Sequence, residues 1–366
     1  MASFKIRMKL VTVVGTRPEL IRLSRIIPKL DLEFEHELVH TGQNFDTNLK
    51  EVFFKELSIR PPDISLEIQD GNIGVRLSQI FSEFGNYLSK SNPDALLVLG
   101  DTFSGLVALV ARHSGVPVIH MEAGNRAFSK ELPEETNRKV IDNCADLLMP
   151  YTVESSKNLL AEGFNEKAIW VSGNPIFEVI QNYKQLWENV KLENLSNPYI
   201  LATVHRAEGV DNETRLVGIL DGLNSSAVEM NCSIFLSTHP RLRDKLAGRE
   251  NLWPKIQFIE PLGFFAFMKM QSQALVVATD SGTVQEEACI LGVPCVTLRE
   301  VTERPETISC GANVLAGYDS KRITDSIRSQ SQLKRASWKI PDGYEVADVS
   351  DRVLNKIVTF LTKSES

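Results

Sequence analysis

The chain lacks long apolar runs, clustered positive charge and any regular spacing of cysteine. In the opening stretch MASFKIRMKLVTVVGTRP the apolar run is far too short for a secretory signal, and no later segment approaches a membrane span. The expectation is a cytoplasmic protein without a membrane partner. Basic residues are scattered in a chain of net charge -7, so there is no electrostatic footprint for nucleic acid, and an anionic ligand needs a local pocket. The five cysteines (Cys144, Cys232, Cys289, Cys295, Cys310) are odd in number and show no CxxC or metal-type spacing. That pattern favours reduced thiols serving as core fillers. No GxGxxG is present, which disfavours a nicotinamide dinucleotide site. Neither a metal nor a redox cofactor is expected.

What is present is a rhythm. Short β-branched runs (KLVTVV, HELVH, DALLVL, VPVIHM, ADLLMP) alternate with helix-like stretches such as PELIRLSRIIPKL and TFSGLVALVARH. After a polar stretch at 182–197 the rhythm restarts with YILATV, SIFLST, IQFIE, ALVVAT and PCVTL. Such alternation predicts α/β structure with parallel sheets covered on both faces. The 366 residues suffice for two Rossmann-like doubly wound lobes with a cleft between them, over 1–178 and 179–349. A helix in 350–366 closes the chain and is expected to cross back to the first lobe.

Ligands of open parallel sheets bind beyond the carboxyl ends of the strands, so those loops are the places to search. In GTRPE, Gly15 permits a tight turn, Thr16 can cap, Pro18 suits a helix start, and Arg17 at the helix N-terminus suits a phosphate. An Arg on an ordinary turn is the plain alternative. In TGQNFD, Gln43 and Asn44 can hydrogen-bond a base or sugar. Asp101 in GDTFSG reads either as a helix cap or as a catalytic acid, and Glu122 stands at the mouth of its strand in HMEAGNR. Pro133, Glu134 and Glu135 read as a helix start, with Arg138 four residues after Glu134. Each has a bland reading singly. Together, Asp101, Glu122 and Glu134 emerge at one end of one sheet, where they can converge on a ligand.

The second half supplies complementary groups. His205 and Arg206 follow one core strand and His239 and Arg241 follow another. Ser281, Gly282 and Thr283 form a small-residue loop at a helix N-terminus suited to a diphosphate, and Glu286 or Glu287 can reach two ribose hydroxyls. Arg304 in TERPE comes from the loop after the next strand.

GTRPE, TGQNFD, GDT, HMEAGNR, LPEETNR, HRAEG, THPR, DSGTVQEEA and TERPE stand in the order found in the non-hydrolysing UDP-N-acetylglucosamine 2-epimerase family, which the chain resembles from about residue 9 to 318. The resemblance implies a GT-B-like pair of Rossmann lobes, a UDP-N-acetylhexosamine substrate and a homodimer. It implies catalytic roles for Asp101, Glu122, Glu134 and His205. Arg17, Arg138, His239, Ser281, Gly282, Glu287 and Arg304 match positions that hold the nucleotide-sugar. Arg22 stands where better-known members carry Lys, Asn44 replaces a His tied to allosteric activation, and SGT, with Thr283, replaces SGG. GTRPELIRLSR, HTGQNFD with LKEVFF, and HMEAGNRAF also resemble the branch that forms UDP-N-acetyl-L-fucosamine.

Inverting C2 of a 2-acetamido sugar means removing a proton from a carbon with no adjacent carbonyl. The family route eliminates UDP to a 2-acetamidoglycal, returns a proton to the other face and re-adds UDP. It needs acid-base groups on both faces of C2 and cationic groups on the leaving diphosphate. A hydrolysing epimerase, a GT-B glycosyltransferase and a non-catalytic nucleotide-sugar sensor are the competing readings. The last two have no need of carboxylates flanking C2.

Overall fold

The computed structural model describes residues 8–42, 47–69, 71–192, 195 and 198–363. The chain divides into two compact units, Met1–Gln181 with Asp342–Ser366, and Asn182–Pro341.

The first unit holds a parallel sheet of β1 (Lys9–Val14), β2 (Glu35–His40), β3 (Ile64–Ser65), β4 (Ala95–Leu99), β5 (Val118–Met121) and β6 (Leu147–Met149) in the order β3-β2-β1-β4-β5-β6. Strands covered on both faces need apolar side chains at every position, which is why ALLVL of β4 is buried throughout. Val11, Val13, Leu96, Val98 and Val118 pack with Ile80, Phe84 and Leu88 of the helix Ile73–Ser91.

The second unit repeats the plan with β7 (Tyr199–Thr203), β8 (Ser233–Ser237), β9 (Ile256–Ile259), β10 (Val276–Thr279), β11 (Cys295–Thr297) and β12 (Asn313–Leu315) in the order β12-β11-β10-β7-β8-β9. Alternate residues serve its two faces. Ile200, Ala202, Val276 and Ala278 join one core; Tyr199, Leu201, Val277 and Cys295 join the other. Counted from the first strand of each unit, the strand orders are the same. The order reverses between β1 and β4 in one unit and between β7 and β10 in the other, which are the switch points where such sheets bind ligands.

Three features differ from the sequence expectation. The edge strands β3 and β12 were not foreseen, because two or three residues paired on one side carry no long apolar run. PELIRLSRIIPKL is not one helix but two, Arg17–Leu23 and Ile27–Glu33; Pro28 takes the start of the second, where its missing N–H costs nothing. Of the cysteines, Cys144, Cys289 and Cys295 are buried, but Cys232 and Cys310 are only half-buried and are not simple core fillers. The terminal helix Val349–Lys363 packs on Ile27–Glu33 within the first unit, with Lys29 paired to Asp351. Among the described residues no helix is long and apolar enough to cross a membrane.

Candidate active site

In the first unit Glu122 directly follows β5 with φ at 64°, a left-handed conformation that costs an L-residue about 1–2 kcal/mol. Two arginines hold it there. Arg138 donates from Nη1 to the Glu122 carbonyl at 2.6 Å and from Nη2 to Oε1 at 3.1 Å, while Arg22 Nη1 lies 3.0 Å from Oε2. Arg138 Nη2 also donates to Asp101 Oδ2, so Asp101 and Glu122 share one guanidinium. Glu122 is 3% and Arg138 1% exposed, while Asp101 is half-buried and the more open of the two carboxylates. Pro133 starts the helix Pro133–Cys144, which carries Glu134 in its first turn and delivers Arg138 one turn later. The resemblance implies a nucleotide-sugar contact for Arg138; in the structure its guanidinium meets the Asp101 and Glu122 carboxylates.

A second layer supports that edge. His120 Nε2 donates to the Gly100 carbonyl at 2.8 Å, and its Nδ1 meets Asp142 Oδ1 at 2.8 Å. Because a carbonyl only accepts, the ring is fixed in orientation and holds the residue before Asp101. Burial raises the Asp142 pKa, but His120 and Arg126 more than offset it, leaving the carboxyl below its usual range. Arg126 reaches Asp142 at 2.7 Å and Glu162 at 2.6 Å, and Glu135 accepts from the Ala127 amide at 2.8 Å. The charge density of HMEAGNRAFSKELPEETNRK is thereby divided. Arg126 and Glu135 brace the loop, Glu131 is exposed, and Glu122 and Arg138 form the buried centre.

The β1 turn corrects one expectation. Its amides are not open to a phosphate, because Glu19 fills them: Oε2 accepts from the Gly15 N–H at 2.5 Å and the Thr16 N–H at 2.7 Å. Oε1 accepts from the Thr102 hydroxyl at 2.5 Å and the Ser104 hydroxyl at 2.7 Å, in the loop after β4. Burial pushes the Glu19 pKa up, against those four donors. The signal was present as T-x-x-E, a capping box from Thr16 to Glu19. Arg17 remains available: half-buried, it stacks on Phe53 at 5.7 Å and has no carboxylate partner among the described residues. Burial lowers its pKa. Glu19→Ala leaves the buried Gly15 N–H and the half-buried Thr16 N–H without their acceptor and is expected to lower stability by about 2–4 kcal/mol in urea unfolding, with Glu19→Gln losing less. An Ala variant as stable as the parent would remove Glu19 as the clasp. Gln43 and Asn44 lie outside the described residues.

In the second unit the central pair is His205 and Asp280. Asp280, fully buried after β10, accepts from the backbone N–H groups of His205 and Arg206 at 2.7 Å each, and its Oδ1 lies 3.1 Å from His205 Nδ1. Burial alone would raise its pKa, but His205 and the two amides bring it down to about 2. The carboxylate therefore orients the imidazole and leaves Nε2 as its working end. The His239 ring lies 5.7 Å from that of His205, from the adjacent strand end, as the cap of the helix Pro240–Leu246. Ser281 caps the helix Gly282–Leu291 with its hydroxyl 3.0 Å from that of Thr283. Arg304 packs against Gly282, and its Nε is 2.5 Å from Glu286 Oε1. Glu286 is thus occupied by Arg304.

Sequence reasoning missed Glu19, His120, Asp142 and Asp280. Asp280 sits immediately before Ser281 at a strand end, a position that invited attention; His120 and Asp142 gave no signal beyond their neighbourhood.

A family model described as UDP-N-acetylglucosamine 2-epimerase matches residues 29–358. The chain is 39% identical over 351 residues to the UDP-N-acetylglucosamine 2-epimerase of Methanocaldococcus jannaschii, covering 92% of this chain and 95% of that one. It is 37% identical over 330 residues to the UDP-2,3-diacetamido-2,3-dideoxy-D-glucuronate 2-epimerase of Pseudomonas aeruginosa, covering 88% and 92%. The crystal structure of the M. jannaschii UDP-GlcNAc 2-epimerase in complex with UDP-GlcNAc and UDP is similar at a TM-score of 0.90 and 38% identity, over 96% of this chain and 100% of that one. With its matching model, its relatives and its two doubly wound units, the chain belongs to the UDP-N-acetylglucosamine 2-epimerase family and is an isomerase.

Proposed function

We propose that the protein interconverts UDP-N-acetylglucosamine and UDP-N-acetylmannosamine without net hydrolysis. UDP is eliminated to a 2-acetamidoglycal and re-added after C2 has been reprotonated on its other face. The observation that carries this reading is the placement of Asp101 and Glu122 on one guanidinium at the carboxyl ends of adjacent strands, with Glu122 in a strained left-handed backbone. Strain of this kind concentrates at functional sites. Asp101, Glu122 and Glu134 are assigned to proton transfer at C2, and His205, oriented by Asp280, to proton transfer at the leaving or returning oxygen. Arg17, Ser281, Gly282, Thr283 and Arg304 are assigned to the diphosphate, Glu287 to the ribose, and Arg22 and His239 to the bound nucleotide-sugar. Arg138 holds the two carboxylates in place.

The test is proton NMR in D2O with UDP-N-acetylglucosamine, following H1, H2 and free UDP. Loss of the H2 signal with appearance of the 2-epimer and no lasting free UDP is expected. Stoichiometric UDP with a free sugar would replace the reading by a hydrolysing epimerase. UDP-N-acetyl-L-fucosamine run in parallel decides between the substrates, and exchange at that sugar alone would move the assignment to the 6-deoxy branch. A glycosyltransferase would show no H2 exchange with either.

A further inference from the structure

Cys289 and Cys310 are 21 positions apart, yet their Sγ atoms lie 3.8 Å from each other. Cys289 is fully buried on the helix Gly282–Leu291, with its carbonyl held by Trp338 Nε1 at 3.0 Å. Cys310 is half-buried and ends the helix Pro305–Ser309. We propose that these two residues form a reversible dithiol site that closes to a disulfide on meeting a small-molecule disulfide.

The two sulfurs are not equivalent. Cys310 is the reachable one, and a hydrogen bond from the Cys289 thiol brings its pKa down to about 7 against the effect of burial. In its thiol form Cys310 donates to the Thr307 carbonyl at 3.4 Å, so both protonation states have a partner. Burial pushes the thiols of Cys144, Cys232 and Cys295 up, which leaves Cys310 as the nucleophile of the five. The Cys310 thiolate attacks one sulfur of the oxidant, the oxidant's S–S bond breaks and one small thiolate leaves. Cys289 then attacks the Cys310 sulfur of the mixed disulfide, expels the second small thiolate and gives its proton to solvent. The protein loses two electrons, and the oxidant leaves as two small thiols.

Closure shortens the sulfur separation from 3.8 Å to about 2.05 Å, which draws together side chains carried by two different helices. Those helices carry the Ser281 loop at the start of one and Arg304 as the cap of the other, clasped by Arg304 and Glu286. Oxidation therefore disturbs the group of residues assigned to the diphosphate, a link that rests on the function proposed above; the thiol chemistry does not.

The experiment treats the intact protein with oxidised glutathione under native conditions, blocks free thiols and maps them by mass spectrometry. The expected result is a fall from five free thiols to three, with Cys289 and Cys310 joined and no glutathione retained. Cys289→Ser should trap glutathione on Cys310, and Cys310→Ser should leave all remaining thiols free. Five free thiols in the parent, or glutathione retained on it, would overturn the dithiol site. UDP affinity measured by calorimetry should fall on oxidation and return with dithiothreitol. An unchanged affinity with the disulfide formed would overturn the link to the Ser281 loop and leave the proposed function standing.

Discussion

Glu122→Gln is expected to lower turnover by about 10³-fold while UDP affinity, set by groups in other loops, stays at the parent value. The neutral amide keeps an acceptor for one arginine but cannot take a proton from C2 or return one. The loss should therefore fall on kcat, and deuterium incorporation at C2 should disappear with it. Because Glu122 also pairs with Arg22 and Arg138, the variant is expected to lose about 1–3 kcal/mol of stability, so turnover is compared at a temperature where both proteins are folded. Exchange at the parent rate would remove Glu122 from the chemistry. Asp101→Asn should behave similarly, with a smaller stability loss because Asp101 is the more open partner of Arg138.

The largest effect on folding is expected from Arg138→Met. That change leaves Asp101 and Glu122 close together at the carboxyl ends of β4 and β5 with their shared cation gone, and breaking a buried pair in this way costs about 3–5 kcal/mol. Lys in place of Arg should recover only part, because one ammonium cannot fork to a carbonyl and two carboxylates. Removing both negative charges in the Met background, with Asp101→Asn and Glu122→Gln together, should restore most of the lost stability. Denaturant unfolding of these three variants, the parent and the double neutralisation alone measures this coupling directly. Failure of the double neutralisation to restore any stability would show that Arg138 acts through packing rather than charge.

The strands were legible because a strand buried on both faces is dominated by apolar residues, as β1, β4 and β7 are. The carboxylates were legible for a related reason: a charge immediately after such a run, as at Asp101 and Glu122, has few structural uses. What could not be read was direction. Nothing in the order of residues shows that Arg138 turns to Asp101 and Glu122, that Glu19 closes the amides offered to a phosphate, or that Arg304 meets Glu286. Those outcomes depend on which loops meet in three dimensions, and a Glu or Arg has the same composition whether it faces a ligand or a neighbour. Asp280 illustrates the limit, since a strand-end aspartate is visible but its two amide partners are not.

The two clasps have a consequence for the order in which the molecule assembles. Glu19 ties the turn after β1 to hydroxyls 83 and 85 positions further along, and Asp280 claims amides 74 and 75 positions behind it. Each clasp spans the switch point of its unit, so neither loop can reach its native shape until β4 or β10 has docked. Contacts of such long sequence separation form late. The amides of Gly15, Thr16, His205 and Arg206 therefore stay open to hydrogen exchange through the early stages of folding. In each half of the chain, the strands that build the scaffold must be in place before the loop carrying Arg17 or His205 is set.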